Sequence, residues 1–200
     1  MIRDLFDLMD KWRHYPNWQL ERRADIFFAL YLEEILSVVN VEKVNVIVPE
    51  FPVRIGEIYD ADVNKSKKID YVVLSESEII LVELKTDNSS RREEQDDYLK
   101  RSQQVGITKL ISGVKKIYQA TNSKSKYDNL MADIAKFEAV DGIEKLPIRI
   151  VYVQPNGDEN NVVNFKKIAS LESISDEVGV RFRQSLLEWS EIKAGDNNIK

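Results

Sequence analysis

The 200-residue sequence contains no cysteine and only one histidine, His14. Without cysteine the chain has no disulfide bond, no zinc site built from thiolates and no cysteine nucleophile. A single histidine also excludes a nuclease site built from several histidine ligands. We expect His14 to lie in a surface turn rather than in a serine–histidine triad.

Long apolar runs and glycine motifs are missing as well. No stretch approaches the roughly 18–20 apolar residues that a membrane helix needs. The first residues mix charged and apolar side chains, so we expect no secretory signal there and a cytoplasmic location. The seven glycines form neither a phosphate-binding loop nor a dinucleotide fingerprint, which excludes P-loop ATPases and Rossmann enzymes.

The composition is that of an ordinary globular protein. Charged residues make up 32% of the chain and apolar residues 43%. A chain of this length is large enough to bury a core, and we expect one domain over residues 1–200. The net charge of −5 argues against a protein that coats nucleic acid without specificity.

The charge is unevenly distributed along the chain. Residues 1–97 carry a net charge of −8, whereas residues 98–127 carry +7 and no acidic side chain. The basic residues of this segment are Lys100, Arg101, Lys109, Lys115, Lys116, Lys124 and Lys126. A basic segment beside an acidic site suits a bound polyanion. The alternative is a pair of solvated helices with no partner.

Hydrophobic periodicity predicts a mixed α/β protein with a central sheet flanked by helices. The predicted helices span residues 2–13, 18–39, 90–104, 108–120, 127–140 and 176–192. The predicted strands span residues 43–49, 68–74, 78–85 and 146–154, with a further extended piece at 51–58. The polar link of residues 75–77 predicts an antiparallel hairpin. Ser90 and Glu93 fit a capping box at the start of the following helix.

Three side chains near this hairpin suit metal-dependent chemistry. Strand alternation places Glu83 and Lys85 on the same side of one strand, and Asp70 lies on the preceding strand. Carboxylates suit Mg²⁺, which keeps several water ligands, and the main-chain carbonyl of Leu84 is a further candidate ligand. The Lys85 ammonium suits the orientation of a water or charge on a phosphate. The alternative is a Glu83–Lys85 salt bridge with Asp70 in a turn.

Together with the flanking segments Ile-Asp-Tyr-Val-Val-Leu and Ile-Leu-Val-Glu-Leu-Lys, these residues resemble the PD-(D/E)XK nuclease superfamily. The resemblance covers about residues 20–110, and Ile69 stands where the motif has proline. It implies a restriction-endonuclease-like core and a nuclease, with DNA the expected substrate. It also implies Mg²⁺, replaceable by Mn²⁺, held by Asp70 and Glu83, with Lys85 as the catalytic lysine.

The family resemblance leaves the biological setting open. It is compatible with a homodimer or with a partner helicase or recognition subunit that the enzyme needs for cleavage. The alternative from another class is a non-catalytic nucleic-acid-binding or scaffold module that retains the fold. The sequence does not choose between endonuclease and exonuclease.

The resemblance also implies residues on two helices. Members often add a glutamate from the first core helix, and Glu34 is favoured over Glu33 because it flanks an apolar face; both can instead face solvent. On the helix after Lys85, Gln95 and Tyr98 are expected to contact substrate. On the same basis, one of two neighbouring arginines, Arg91 or Arg92, is expected to contact a phosphate. The alternative is that this helix only packs on the sheet.

Overall fold

The computed structural model describes residues 2–15, 18–59, 65–87 and 92–191. The chain forms two compact units, each assembled from separate segments of the sequence. The first unit comprises the described residues of Met1–Val41, Leu84–Ser90 and Tyr152–Lys200. The second comprises those of Glu42–Glu83 and Arg91–Val151.

Groups of helices and strands are interspersed along the chain, as in a mixed α/β protein. The helices are α1 (Ile2–Trp12), α2 (Leu20–Leu30), α3 (Leu32–Ser37), α4 (Ile55–Ile58), α5 (Glu93–Val105), α6 (Ile107–Ala120), α7 (Asp128–Glu138), α8 (Phe165–Ala169) and α9 (Glu177–Ser190). The strands are β1 (Val44–Arg54), β2 (Ser66–Ser75), β3 (Ile79–Leu84), β4 (Ile148–Gln154) and β5 (Val162–Asn164).

The strands form one mixed sheet in the order β1-β2-β3-β4-β5. β1, β2 and β3 are antiparallel neighbours, whereas β4 and β5 pair in parallel. Two main-chain hydrogen bonds, from Ile79 to Pro147 and from Lys85 to Val153, advance in the same direction along β3 and β4. These two strands are therefore parallel, and the expected mixed sheet flanked by helices is confirmed.

The predicted hairpin is confirmed, and two hydrogen bonds from Ser75 to Glu78 close its turn. The Ser75 amide donates to the Glu78 carbonyl over 3.0 Å, and the Ser75 hydroxyl donates to the same oxygen over 2.9 Å. Every residue of β3 is buried, as its uninterrupted apolar sequence indicates. The buried strand ends at Leu84, directly after Glu83.

Three predicted element boundaries are wrong. Residues 44–54 form one strand, where the sequence suggested two pieces, and the end of the second piece is the short helix α4. Because β1 is an edge strand, Pro49 and Pro52 are tolerated within it although they lack an N–H donor.

Helix α5 begins at Glu93 after Arg92, so the predicted capping box is wrong. Ser90 itself lies outside the described residues.

The third difference is the division of the predicted 18–39 helix into α2 and α3 at Tyr31. The Tyr31 backbone departs from helical geometry, with φ −111° and ψ 22°. Its hydroxyl donates to the Asp176 carboxylate over 2.9 Å, a contact between segments far apart in sequence. The break therefore lies where a tertiary contact holds the side chain, which local periodicity does not reveal.

Aromatic side chains form the core of the first unit. Phe6, Phe27, Phe28 and Phe182 join α1, α2 and α9, with 4.6 Å between the ring centroids of Phe6 and Phe27 and 5.0 Å between those of Phe28 and Phe182. Such ring pairs contribute about 0.5–1.5 kcal/mol beyond their burial. No helix among the described residues is long and apolar enough to cross a membrane.

Candidate functional site

The register of the β2–β3 hairpin brings Asp70 opposite Glu83 in the second unit. Tyr71 pairs with Val82, and each further step moves one residue along both strands in opposite directions. One step beyond the Tyr71–Val82 pair sets Asp70 opposite Glu83. Side chains of directly opposed residues share a sheet face, with Cβ atoms about 4.5–5.5 Å apart. Two carboxylates predicted from the sequence are therefore neighbours on one face.

Glu83 is a buried carboxylate with polar partners on helix α5. Its relative exposure is 1%, which in an apolar setting is costly for a charged group unless it accepts hydrogen bonds. The side-chain amide of Gln95 donates to Glu83 Oε1. The Tyr98 hydroxyl lies 3.4 Å from Glu83 Oε2. Helix α5 thus presents the two polar side chains singled out in the sequence to the carboxylate.

Tyr98 joins the helix to both carboxylate-bearing strands. Its hydroxyl donates to the main-chain carbonyl of Lys68 on β2 over 2.7 Å. Burial raises the pKa of Tyr98 well above its ordinary value, and the negative charges of Glu83 and Asp70 raise that pKa further. The hydroxyl therefore stays protonated at neutral pH and acts as a hydrogen-bond donor beside the two carboxylates.

Lys85 and Leu84 belong to the first unit and follow Glu83 directly in the chain. The Lys85 amide donates to the Val153 carbonyl over 2.8 Å, which anchors the residue to β4. Its side chain is 7% exposed, and its Nζ lies 3.8 Å from Glu21 Oε2. Leu84 ends β3 with a buried side chain. Lys85 is thus a buried ammonium beside a carboxylate of the first unit.

Glu21 is a candidate site residue that the sequence analysis did not single out. It lies in the first turn of α2, where an acidic residue is ordinary because it complements the helix dipole. Nothing in the sequence separates it from the other acidic residues of this helical region. Only the proximity of its carboxylate to Lys85 distinguishes it.

Glu34 lies on α3 and is half-buried, while Glu33 is exposed. The Ser37 hydroxyl donates to the Glu34 carbonyl over 2.6 Å. Burial and the adjacent Asp176 raise the pKa of Tyr31, and the Glu34 charge adds a smaller effect in the same direction. The observed surroundings of Glu34 therefore include Tyr31, and its role as a metal ligand stays a prediction.

Of the two arginines expected to contact a phosphate, Arg92 lies within the described residues and Arg91 does not. Arg91 lies outside the described residues, so its predicted role has no structural counterpart. Arg92 precedes α5 and is exposed. Its position leaves the side chain accessible to an anion, and contact with a phosphate stays a prediction.

The basic segment is partly neutralised by acids from elsewhere in the second unit. Arg101 pairs with Asp97 at 3.0 Å, and Lys115 pairs with Glu138 at 2.5 Å. The Lys116 ammonium lies 2.7 Å from the buried carboxylate of Glu57. The charge that this segment presents to solvent is therefore smaller than its sequence suggests.

A divalent cation such as Mg²⁺ needs oxygen ligands on several sides. Among the described residues, no three carboxylate or histidine side chains lie close enough together to hold a metal ion. Mg²⁺ nevertheless often uses only one or two protein carboxylates and completes its octahedral shell with water and substrate oxygens. Asp70 and Glu83 supply two carboxylates, which is the number of protein ligands and the ligand type that such an ion often uses.

No family model, curated protein or solved structure matches the chain.

Proposed function

We propose that the protein is a divalent-metal-dependent nuclease that hydrolyses phosphodiester bonds, with DNA as the expected substrate. The observation that carries the proposal is that the carboxylates of Asp70 and buried Glu83 both act on Tyr98, each one residue beyond the Tyr71–Val82 pair of the hairpin. A buried carboxylate that accepts from the Gln95 amide has its orientation set, which favours the binding of a cation. Lys85, two residues further along the chain, supplies the positive group.

Asp70, Glu83 and the main-chain carbonyl of Leu84 would hold the cation, with Mg²⁺ expected and Mn²⁺ able to replace it. When bound, such an ion supplies positive charge for the phosphate oxygens and favours deprotonation of a water. The water gives its proton to solvent, and its oxygen forms a bond to phosphorus as the bond to the leaving ester oxygen breaks. The leaving ester oxygen then takes a proton from solvent.

The protein side chains have distinct roles in this scheme. Lys85 orients the attacking water and stabilises negative charge on the phosphate. Gln95 positions the Glu83 carboxylate, because its side-chain amide donates to Glu83 Oε1. Tyr98 packs its hydroxyl 3.4 Å from the other carboxylate oxygen while donating to the Lys68 carbonyl. Arg92 is assigned to a phosphate of the bound strand.

The test is cleavage of supercoiled plasmid, single-stranded DNA and RNA in Mg²⁺ or Mn²⁺. Wild type, Asp70→Ala and Lys85→Ala would be compared with Lys43→Ala, which changes an exposed lysine directly before β1 and outside the basic segment. We expect wild type and Lys43→Ala to cut and the other two variants to lose activity while their circular dichroism is unchanged. Cleavage retained by folded Asp70→Ala and Lys85→Ala would contradict the proposal.

A second candidate is a non-catalytic nucleic-acid-binding or scaffold module. The lack of a three-carboxylate cluster among the described residues favours it, since some metal sites need a third protein ligand. A Mn²⁺ titration separates the candidates, because a nuclease must bind the ion and a scaffold need not. Metal binding without cleavage would instead indicate a subunit that depends on a partner helicase or recognition protein.

A further inference from the structure

Lys67 on β2 lies next to the aromatic ring that reaches the buried carboxylate. Its ammonium lies 5.1 Å from the centroid of the Tyr98 ring, within the range of a cation–π contact. The hydroxyl of the same ring lies 3.4 Å from Glu83 Oε2. One tyrosine side chain therefore contacts both a cation of β2 and the carboxylate of β3. The proposed reaction uses the carboxylate but gives Lys67 no role.

An exposed carboxylate on α5 pairs with this cation. Glu94 forms a salt bridge with Lys67, and the two side chains are 76% and 31% exposed. The hydrogen bond and the charge of Lys67 lower the pKa of Glu94, and the charge of Arg92 lowers that pKa further. Glu94 is therefore ionised at neutral pH and lies near two cations, one from β2 and one from the residue before α5.

A backbone phosphate suits the position that the Glu94 carboxylate occupies, since both groups are anions with oxygen acceptors. An exposed salt bridge contributes little net stability, because water solvates both charges when the pair separates. Glu94 can therefore turn into solvent at small cost. The Tyr98 ring still holds the Lys67 ammonium beside Glu83 after the carboxylate has left.

We propose that Lys67 and Arg92 form a subsite for a backbone phosphate of the substrate, and that Glu94 occupies this subsite until a nucleic acid displaces it. The identity of the substrate, a nucleic acid with DNA expected, rests on the proposed function. Lys67 is then a substrate-binding residue, and Glu94 is a competitor that lowers the affinity of the free protein. A purely structural ion pair differs, because loss of either member would leave the affinity for nucleic acid unchanged.

The first test is fluorescence anisotropy of labelled strands of about 20 nucleotides in EDTA, which measures binding without metal-dependent cleavage. The probes are single-stranded DNA, double-stranded DNA and single-stranded RNA. Lys67→Ala should raise the dissociation constant about fivefold and reduce the slope of its salt dependence by about one, because one phosphate contact is lost. Lys67→Arg keeps the charge and should stay within about twofold of wild type. Glu94→Gln should lower the dissociation constant about threefold, because the competing anion is gone.

Coupling between the two residues separates this exchange from a general effect of charge. In the Lys67→Ala background, Glu94→Gln should change the dissociation constant less than about 1.5-fold, since the lysine for which it competes is absent. Lys43 and Glu76 provide the matched control pair, with 3.7 Å between Nζ and Oε1 on the surface of the same unit. Lys43→Ala and Glu76→Gln should each change the dissociation constant less than about 1.5-fold.

Cleavage kinetics in Mg²⁺ distinguish binding from chemistry. Lys67→Ala should raise KM and leave kcat within about twofold of wild type, whereas Lys85→Ala should lose kcat. Circular dichroism checks the fold of each variant. If Lys67→Ala fails to fold, the tighter binding of Glu94→Gln relative to Glu76→Gln decides the question, because both substitutions remove the charge of an exposed glutamate.

The outcomes separate this subsite from nuclease activity itself. Cleavage by wild type, with unchanged affinity in Lys67→Ala and Glu94→Gln, would overturn the subsite and leave the nuclease proposal standing. The expected changes in affinity without any cleavage would support the subsite in a non-catalytic nucleic-acid-binding protein. A wild type that binds none of the three probes would overturn the subsite, and the plasmid assay would decide about the nuclease separately.

Discussion

The side-chain amide of Gln95 on α5 donates a hydrogen bond to the buried carboxylate of Glu83 on β3. This contact orients the carboxylate before any cation is present, since the amide carries no charge that would compete with a metal. A lysine or arginine at the same position would neutralise Glu83 and lower its affinity for a cation. The neutral amide therefore orients Glu83 without neutralising its charge.

We expect Asp70→Asn and Glu83→Gln each to weaken Mn²⁺ binding at least about tenfold, because each replaces a charged oxygen ligand with a neutral amide. Isothermal titration of the purified proteins measures this directly. Glu76→Gln is the control, since Glu76 is an exposed acid in the hairpin turn. Equal Mn²⁺ affinity in all four proteins, or no binding by wild type, would argue against a metal site here.

Gln95→Glu should destabilise the protein by about 2 kcal/mol at pH 7, because it places a second carboxylate against buried Glu83. The loss should be smaller at pH 5 than at pH 7, because lower pH weakens the repulsion between two carboxylates. Urea unfolding at both pH values checks this. Gln104→Glu makes the same change at an exposed position of α5 and should cost less than about 0.5 kcal/mol.

Tyr98→Phe should change how stability depends on alkaline pH. Because folding raises the pKa of Tyr98, the folded form holds its proton after the unfolded chain has lost it. The stabilisation is fully present below about pH 10 and is lost as pH rises further, by about 1.4 kcal/mol per pH unit. The variant should lose this slope between pH 10 and 11.5, as measured by urea unfolding.

The control for that experiment is Tyr15→Phe, which changes a 54% exposed tyrosine. Its stability should follow the wild-type pH dependence. Burial and Asp176 also raise the pKa of Tyr31, so some alkaline loss should persist in Tyr98→Phe. A pH dependence identical in wild type and Tyr98→Phe would show that the Tyr98 hydroxyl is not held as the structure indicates.

Glu21→Gln should slow nucleic-acid cleavage by about tenfold or more, because Glu21 is the carboxylate 3.8 Å from the Lys85 ammonium. Glu34→Gln provides the comparison, since the sequence favoured Glu34 as the helix glutamate. Single-turnover rates for both variants across pH 6–9 separate the two residues. A large loss in Glu34→Gln with none in Glu21→Gln would support the choice made from the sequence.

The sequence predicted the local features of the candidate site well. Alternation over β3 and the polar turn after β2 predicted the hairpin that carries Asp70 and Glu83. Helical spacing also placed Gln95 and Tyr98 on one face of α5, and that face contacts Glu83. These predictions succeeded because side-chain direction within one strand or helix depends on backbone period alone.

Predictions that depended on distant segments were less successful. Glu21 was overlooked because its distinguishing feature is a contact with Lys85, more than sixty residues away. The helix break at Tyr31 was missed because Asp176 holds that side chain from the other end of the sequence. The basic segment looked more strongly charged than it is, since Glu57 and Glu138 come from outside it.

The sequence by itself therefore determined the α/β class, the apolar strand that ends at Glu83 and the order of the carboxylates and lysine along the chain. Only the tertiary structure decided that the Gln95 amide donates to the buried Glu83 carboxylate, that the charges of Asp70 and Glu83 both act on Tyr98, and that Glu21 lies near Lys85. The physical reason is that period and propensity act within a segment, whereas strand register and the choice of buried helix face depend on how separate segments pack.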